Sequence, residues 1–312
     1  MRRKAAIFTV IFVFSAFQQA FCFWIWTPKT GKWVNPKSEA KTNPKEQFDF
    51  AKGFYDEKKY PEAEREFKRL LKDFPKSFEA SESQYYLGLI EEARGSLYEA
   101  FKSYQKVIDK YPFSERTQEI IEREYKIGEM FMSEDKRRGV PIIVEHPSIE
   151  VFSQVIENST YGPLAPKAQY KLGLVLKSLM RYYEAEEAFN KVITNYPDSE
   201  WVEAAKFQIA SCRASLSRGA DYDQAATKEA KKKFEEFIRE HPDAVLSRDA
   251  EKNISQLTEK EAEANYNTGR FYEKQKQFDA ARVYYNEAVA KYSDTVWAAK
   301  SLERLRIMEK MK

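Results

Sequence analysis

The chain has 312 residues, 43% hydrophobic and 32% charged, with only 10 glycines and 12 prolines, which excludes a disordered or collagen-like polymer and suits a charged, helix-rich fold. The formal charge of +3 resides in Arg2, Arg3 and Lys4; once the first 22 residues are set aside, the cations equal the 49 anions. A balanced chain of this kind has no broad attraction to nucleic acid or anionic lipid.

Residues 1–22 read as a targeting segment. Arg2-Arg3-Lys4 forms a cationic start, and Ala5 to Phe17 is an uncharged apolar run too short to span a bilayer comfortably. Export is therefore expected. Two exits are open: a cut after Cys22, with Ala20 and Cys22 as a small-x-small site, or retention of Cys22 as an acylated first residue. The second asks for a small residue where Phe21 stands.

Residues 23–45 form a Trp-rich arm and linker. Trp24, Trp26 and Trp33 are three of the five tryptophans, and they flank Pro28-Lys29-Thr30-Gly31. Aromatic and β-branched residues around such a turn predict a short β-hairpin or extended arm. A lone hairpin is marginal in water. It would either dock on the protein's own first helices or act as an aromatic anchor at a partner or membrane surface through those tryptophans. Residues 35–45 read as linker.

Residues 46–312 repeat. A tetratricopeptide unit has about 34 residues, with a small residue in helix A and, in helix B, Ala followed by an aromatic and a terminal Pro. The small residue lets the two helices cross closely, and Pro ends helix B because it cannot donate a helical hydrogen bond. The first unit offers Ala51, Ala63, Phe67, Leu70 and Phe74-Pro75. The second has Leu87-Gly88, Ala100, Tyr104, Val107 and Tyr111-Pro112. The third, stretched, starts at Ile127-Gly128 and continues with Phe152, Val155 and Ile156. The fourth reads Leu172-Gly173, Ala185, Phe189, Val192 and Tyr196-Pro197. A stretched fifth has Ile209-Ala210, Ala230, Phe234, Phe237 and His241-Pro242. After a further helix over about 246–262, the last runs Thr268-Gly269, Ala281, Tyr285, Ala288 and Tyr292-Ser293. Ser77, Ser114, Ser199 and Thr295 stand where the next helix wants an N-cap. The expected fold is an all-α tetratricopeptide solenoid of five to six helix pairs. The stretches before Pro141 and around Ser217 to Asp223 are expected as loops on one edge.

Catalytic or metal chemistry needs converging His, Cys or paired carboxylates, and the pattern supplies no such set. His146 and His241 each precede a proline, and His241 fills the slot held elsewhere by Phe74, Tyr111 and Tyr196. Cys212 lies in an apolar helical pattern and reads as a buried small hydrophobe. No phosphate-binding loop, dinucleotide fingerprint, zinc-protease helix or nucleophile elbow occurs. The reading is a non-enzyme without metal or cofactor. Phe48, Tyr55, Tyr85, Leu89, Tyr170, Leu174 and Lys177 fall on the helix-A face that lines a repeat groove. They suit either an extended peptide ligand or packing between repeats.

The order of these units resembles the outer-membrane assembly lipoprotein family BamD/YfiO over about residues 45–305. The resemblance is carried by Phe234-Glu235-Glu236-Phe237-Ile238, His241-Pro242, Ala264-Asn265-Tyr266, Gly269-Arg270-Phe271-Tyr272, Phe278-Asp279-Ala280-Ala281 and Tyr292-Ser293-Asp294-Thr295. It implies a scaffold at the periplasmic face of the outer membrane, part of the β-barrel assembly machine. Its N-terminal repeats would receive C-terminal peptides of unfolded outer-membrane proteins, and its C-terminal repeats would dock on the barrel-forming subunit. The alternative is a periplasmic repeat adaptor of the Tol–Pal cell-division type. That family typically has a coiled coil ahead of fewer repeats, and no heptads precede residue 46.

Overall fold

Where the chain leaves five of its second helices, it makes the same turn. The amides of Phe74, Tyr111, Tyr196, His241 and Tyr292 donate to the carbonyls of Leu70, Val107, Val192, Phe237 and Ala288 at 2.8–3.1 Å. Three residues on, the amides of Ser77, Ser114, Ser199, Ala244 and Thr295 donate back to those same five aromatic or histidine residues. The expected closures thus recur in the backbone, with His241 in register with the aromatics. The side chains of Ser114, Ser199 and Thr295 accept from the amides of Arg116, Trp201 and Ala298 at 3.3, 3.2 and 3.1 Å, whereas Ser77 Oγ makes no hydrogen bond.

The structure is a computed structural model that describes residues 25–27, 32–34, 41–133, 146–217 and 224–310. The targeting segment, Cys22, Trp24 and the two expected edge loops up to Pro141 and after Ser217 lie outside the described residues. Two compact units, Met1–Ser83 and Gln84–Lys312, divide the chain.

In the first unit β1 (Ile25–Thr27) and β2 (Lys32–Val34) pair antiparallel, with Ile25 opposite Val34, Trp26 opposite Trp33 and Thr27 opposite Lys32. This is the hairpin expected of the arm. Then come α1 (Pro44–Asp56) and α2 (Tyr60–Asp73). The linker ends sooner than expected because Pro44 can sit in a first helical turn and Asn43 accepts the Glu46 amide at 2.8 Å.

The second unit takes up α3 (Phe78–Ala93) from Gln84 onward. It continues with α4 (Leu97–Lys110), α5 (Thr117–Phe131), α6 (Pro147–Asn158), α7 (Ala165–Ser178), α8 (Tyr182–Asn195), α9 (Trp201–Leu216) and α10 (Gln224–Glu240). It ends with α11 (Val245–Lys274), α12 (Phe278–Lys291) and α13 (Val296–Lys310). Among the described residues the array is all-α and amounts to six helix pairs and a closing helix, the upper end of the expected count.

Buried aromatics of the second helices sit over small residues of the first. A Cβ built on Gly173 would lie 2.5 Å from the Phe189 ring. On Gly128 or Gly269 it would lie 2.7 Å from Phe152 or Tyr285, and Gly88 is closed off in the same way by Tyr104. All four rings are fully buried. Removing such a side chain from water contributes about 1.5–3 kcal/mol, so the close crossing and much of the core stability come from the same contacts.

The turn inside a pair needs a left-handed residue, which glycine supplies at Gly95 (φ 78°) but Lys58, Met180 and Lys276 must adopt at φ 59–62°. A side chain there is strained. Met180 is 75% exposed, so trimming it loses little packing. Met180→Gly should therefore raise stability by about 0.5–1 kcal/mol, relief of strain outweighing the added unfolded-state entropy. A fall in the urea midpoint would contradict this.

One expectation is corrected. The separate helix over about 246–262 and helix A of the last unit are one uninterrupted 30-residue helix, α11. Between Pro242 and Gly269 the sequence contains no other Gly or Pro, and Glu, Ala, Lys and Gln favour continuation. The first half of α11 closes the core of α9 and α10 through Ala250 and Leu257. The second half builds a separate core with α12 and α13 around Tyr266, Tyr285 and Met308.

Candidate peptide-binding face

Each first helix carries an aromatic three residues before its small residue, and that ring packs on the aromatic of the second helix. Within the first unit this is Phe48 on Phe67 at 5.8 Å. Within the second it is Tyr85 on Tyr104 (5.8 Å), Tyr125 on Phe152 (5.7 Å), Tyr170 on Phe189 (5.5 Å), Phe207 on Phe234 (5.6 Å) and Tyr266 on Tyr285 (5.8 Å). These tilted or edge-on pairs contribute about 0.5–1.5 kcal/mol each beyond their area. Three of these rings, Phe48, Tyr85 and Tyr170, belong to the set that the sequence offers either to a peptide groove or to packing between repeats, and each packs on the aromatic of its second helix.

Tyr85 is 3% exposed and Tyr170 8% exposed, so most of their surface is spent inside the array. Tyr85 donates its hydroxyl to Glu119 and accepts from Arg123 Nε at 3.1 Å. Burial, then the Glu119 hydrogen bond, holds its pKa well above the ordinary tyrosine range. Tyr170 packs 5.0 Å from Trp201. Burial raises its pKa while a hydrogen bond from Gln208 opposes the rise. Leu89 and Leu174 are half-buried against neighbouring core clusters. Tyr55, also half-buried, lies 5.9 Å from Tyr60 in the first unit. Of the arm's tryptophans, Trp26 is 48% exposed and Trp33 is placed by its backbone pairing alone.

Across the second unit, successive first helices touch through a polar ladder. Arg123 of α5 meets Glu92 of α3 at 3.2 Å and Glu119 at 3.1 Å, and Glu92 accepts the Tyr104 hydroxyl at 2.7 Å. Lys171 of α7 meets Glu129 of α5 at 2.9 Å. Arg304 of α13 donates its Nε to Glu273 of α11 at 3.2 Å, and Glu273 accepts Tyr285 at 2.7 Å. Burial would raise the pKa of Glu119, Glu129 and Glu273, but their hydrogen bonds win and hold all three below the usual carboxylate value. Lys177 of α7 donates instead to Gln208 Oε1 and Ser211 Oγ of α9, each at 2.7 Å. Burial lowers its pKa, with a small opposing effect from Cys212.

Apart from Lys177, the ladder residues were missed, yet a signal existed. Glu92 with Arg123, Lys177 with Gln208, and Glu273 with Arg304 are each 31 residues apart, the local step from one first helix to the next. No group of three His, Cys, Asp or Glu among the described residues could hold a metal ion. His241 packs on Phe237 at 5.2 Å, and Cys212 is buried with its thiol pushed up to about 11 by that burial. Across the second unit these titratable groups are committed to packing and pairing.

Tetratricopeptide-repeat family models match residues 48–115 and 167–199, and the YfiO family model, described as an outer membrane lipoprotein, matches residues 215–311. The chain carries tetratricopeptide repeats, and its C-terminal third is similar to the YfiO family. The YfiO match takes in all of α10 to α13, including the uninterrupted α11. Among curated proteins, the outer membrane protein assembly factor BamD of Rickettsia prowazekii (strain Madrid E) is 25% identical over 156 residues. That alignment covers 50% of this chain and 62% of the relative, so the chain spans less than two thirds of the relative's length.

Among solved structures, a MamA protein is 21% identical with a TM-score of 0.34, covering 64% of this chain and 92% of its own. The C-terminal part of a TPR repeat-containing protein of Cytophaga hutchinsonii is 19% identical with a TM-score of 0.36, covering 85% and 89%. No helix among the described residues is long and apolar enough to cross a membrane.

Proposed function

We propose that this protein is a non-enzymatic scaffold of outer-membrane β-barrel assembly, working at the periplasmic face of that membrane. The observation that carries the reading is the YfiO match over residues 215–311, supported by the similarity to a BamD. The helix-A face takes extended peptides of unfolded barrel proteins, and the C-terminal pairs α11 to α13 contact the barrel-forming subunit. Repeat proteins suit this work because stacked pairs expose long faces whose rigidity comes from nearest-neighbour packing. Attachment belongs to the same reading, through an acyl chain on Cys22 or through Trp24, Trp26 and Trp33.

Depleting the protein should lower the level of folded barrels in the outer membrane. Unchanged barrel levels together with stalled envelope constriction would sink the reading in favour of a cell-division adaptor. In the same cells, palmitate label carried by the wild type and absent from Cys22→Ser would place the anchor at Cys22; equal label in both would exclude it.

A further inference from the structure

In the second unit the second helices α4, α6, α8 and α10 form the layer opposite the ladder, and its neighbours are joined unevenly. Between α4 and α6 the Tyr98 hydroxyl and the Lys102 ammonium both meet Glu150, Tyr98 at 2.8 Å, and close the gap. Between α8 and α10 a hollow of about 180 Å³ remains, and its two cations each hold a carboxylate. Lys206 meets Glu240 at 2.7 Å, and Lys233 meets Glu236 at 3.1 Å. Between α6 and α8 the hollow grows to about 360 Å³, and no hydrogen bond or ion pair among the described residues crosses it.

The lining gives this hollow its shape. α7 supplies Gln169, Leu172 and Leu176, and α6 supplies Ser153, Ile156 and Glu157. α8 runs alongside with Glu184, Glu187, Ala188, Lys191 and Asn195, one stripe over three turns or about 16 Å. Residues three, four and seven apart share a helix face, so the hollow is a trough lying along the axes of its walls. Ser153 and Ala188, the smallest side chains of the lining, leave the room. A helix laid in this trough becomes one more packed neighbour, at the usual axial distance of about 8–10 Å.

The chemistry of the trough selects among helices. Ile156, Leu172, Leu176 and Ala188 are buried or half-buried and make an apolar floor, while the charged lining residues are exposed along the rim. Glu187 is paired with Lys191 at 2.9 Å, and Glu184 with Arg181 at the head of α8 at 2.7 Å. Glu157 has the neutral Gln154 amide at 3.0 Å as its side-chain partner and no ion pair among the described residues. Both cations are spent, so the field left over is negative. A complementary partner sets apolar side chains on the floor and brings positive charge to the rim.

We propose that the trough between α6 and α8 is a docking site for a basic amphipathic helix of a partner protein. Its apolar stripe lies on Leu172 and Leu176, and a Lys or Arg stands beside Glu157. The site is on the opposite side of the array from the peptide-binding face and apart from α11 to α13. It stands independently of the scaffold reading.

The test uses the full exported chain and three 14-residue peptides, each as long as α8. Two carry leucine at i, i+3, i+4, i+7 and i+11, one with lysine and one with glutamate at the flanks. The third is the lysine peptide with a central proline, which breaks its helix. In fluorescence anisotropy the lysine helix should bind roughly fivefold more tightly than either of the others. Glu157→Lys should weaken that binding by a similar factor, and Ser153→Phe, which fills the trough, should abolish it. Both variants should keep the circular dichroism of wild type; Glu157 is exposed, so its variant carries the test even if the larger side chain at 153 disturbs α6. Glu235 is an exposed carboxylate on α10 outside the trough, and Glu235→Lys should leave binding unchanged. Equal losses for Glu157→Lys and Glu235→Lys, equal binding of the lysine and glutamate helices, or no binding by wild type overturns the site. A proline peptide that binds as tightly as its helical parent overturns the helix as occupant.

Discussion

Gly173→Ala is expected to destabilise the protein by about 2–3 kcal/mol, although alanine in mid-helix ordinarily stabilises relative to glycine. The new Cβ would lie 2.5 Å from Phe189, a ring that is fully buried and paired with Tyr170. It cannot move aside without separating α7 from α8. Gly53→Ala serves as the control. Nothing lies within 4 Å of a Cβ built there, in α1, and a gain of about 0.5–1 kcal/mol is expected. Opposite signs for one chemical change would tie the effect to the crossing. Because repeat arrays can unfold unit by unit, the measurement is amide hydrogen exchange across α7 and α8 beside urea denaturation. A stabilised Gly173→Ala would show that the crossing is looser than the geometry states.

Glu124→Gln is expected to stabilise the protein above neutral pH. Glu124 is fully buried between α4, α5 and α6, with both carboxyl oxygens 2.9 Å from the Gln105 amide nitrogen. Burial pushes its pKa up to about 8, the hydrogen bonds from Gln105 oppose the rise, and Asp109 adds to it. The ordinary value is 4.5. Below that pH the carboxyl is neutral in the folded and unfolded chains alike, and its contribution to stability is fully present. As pH climbs through the window up to about 8, the unfolded chain ionises first and the folded state loses ground; above it the loss is complete. At about 1.4 kcal/mol per unit the accumulated loss is on the order of 3–5 kcal/mol. The glutamine variant should lack this slope and match wild type near pH 4. Urea midpoints from pH 4 to 9 decide it, and parallel curves for the two proteins would refute the assignment.

The fold was largely legible because the repeat writes its own boundaries. Phe74-Pro75, Tyr111-Pro112, Tyr196-Pro197 and His241-Pro242 each combine a ring that fills the inter-pair space with a residue that stops a helix. Gly88, Gly128, Gly173 and Gly269 mark the crossings for the same reason: no side chain fits. The groove residues were harder. Position three before the small residue lies, on a helical wheel, between the partner helix and the open face. Tyr85 and Tyr170 could turn either way, and only the ring-to-ring distances decide it. The break expected near residue 262 failed on a different ground. Repeat spacing suggested a boundary, but nothing local in Glu259-Lys260-Glu261-Ala262 interrupts a helix, and backbone continuity prevailed. Lys177 was picked out for its place on the face. Its neutral partners depend on a register between α7 and α9 that side-chain type alone does not convey.

The continuity of α11 bears on how motion would pass through the C-terminal region. Thirty helical residues make a rod of about 45 Å, clamped at one end by α9 and α10 and at the other by α12 and α13. A hinge between the last two pairs would need a break, and the rod has none. A small tilt of the clamped end therefore becomes a sideways displacement of the last pair that grows with distance along the axis. The two cores stay chemically separate but mechanically coupled, like a lever whose load arm is the final pair.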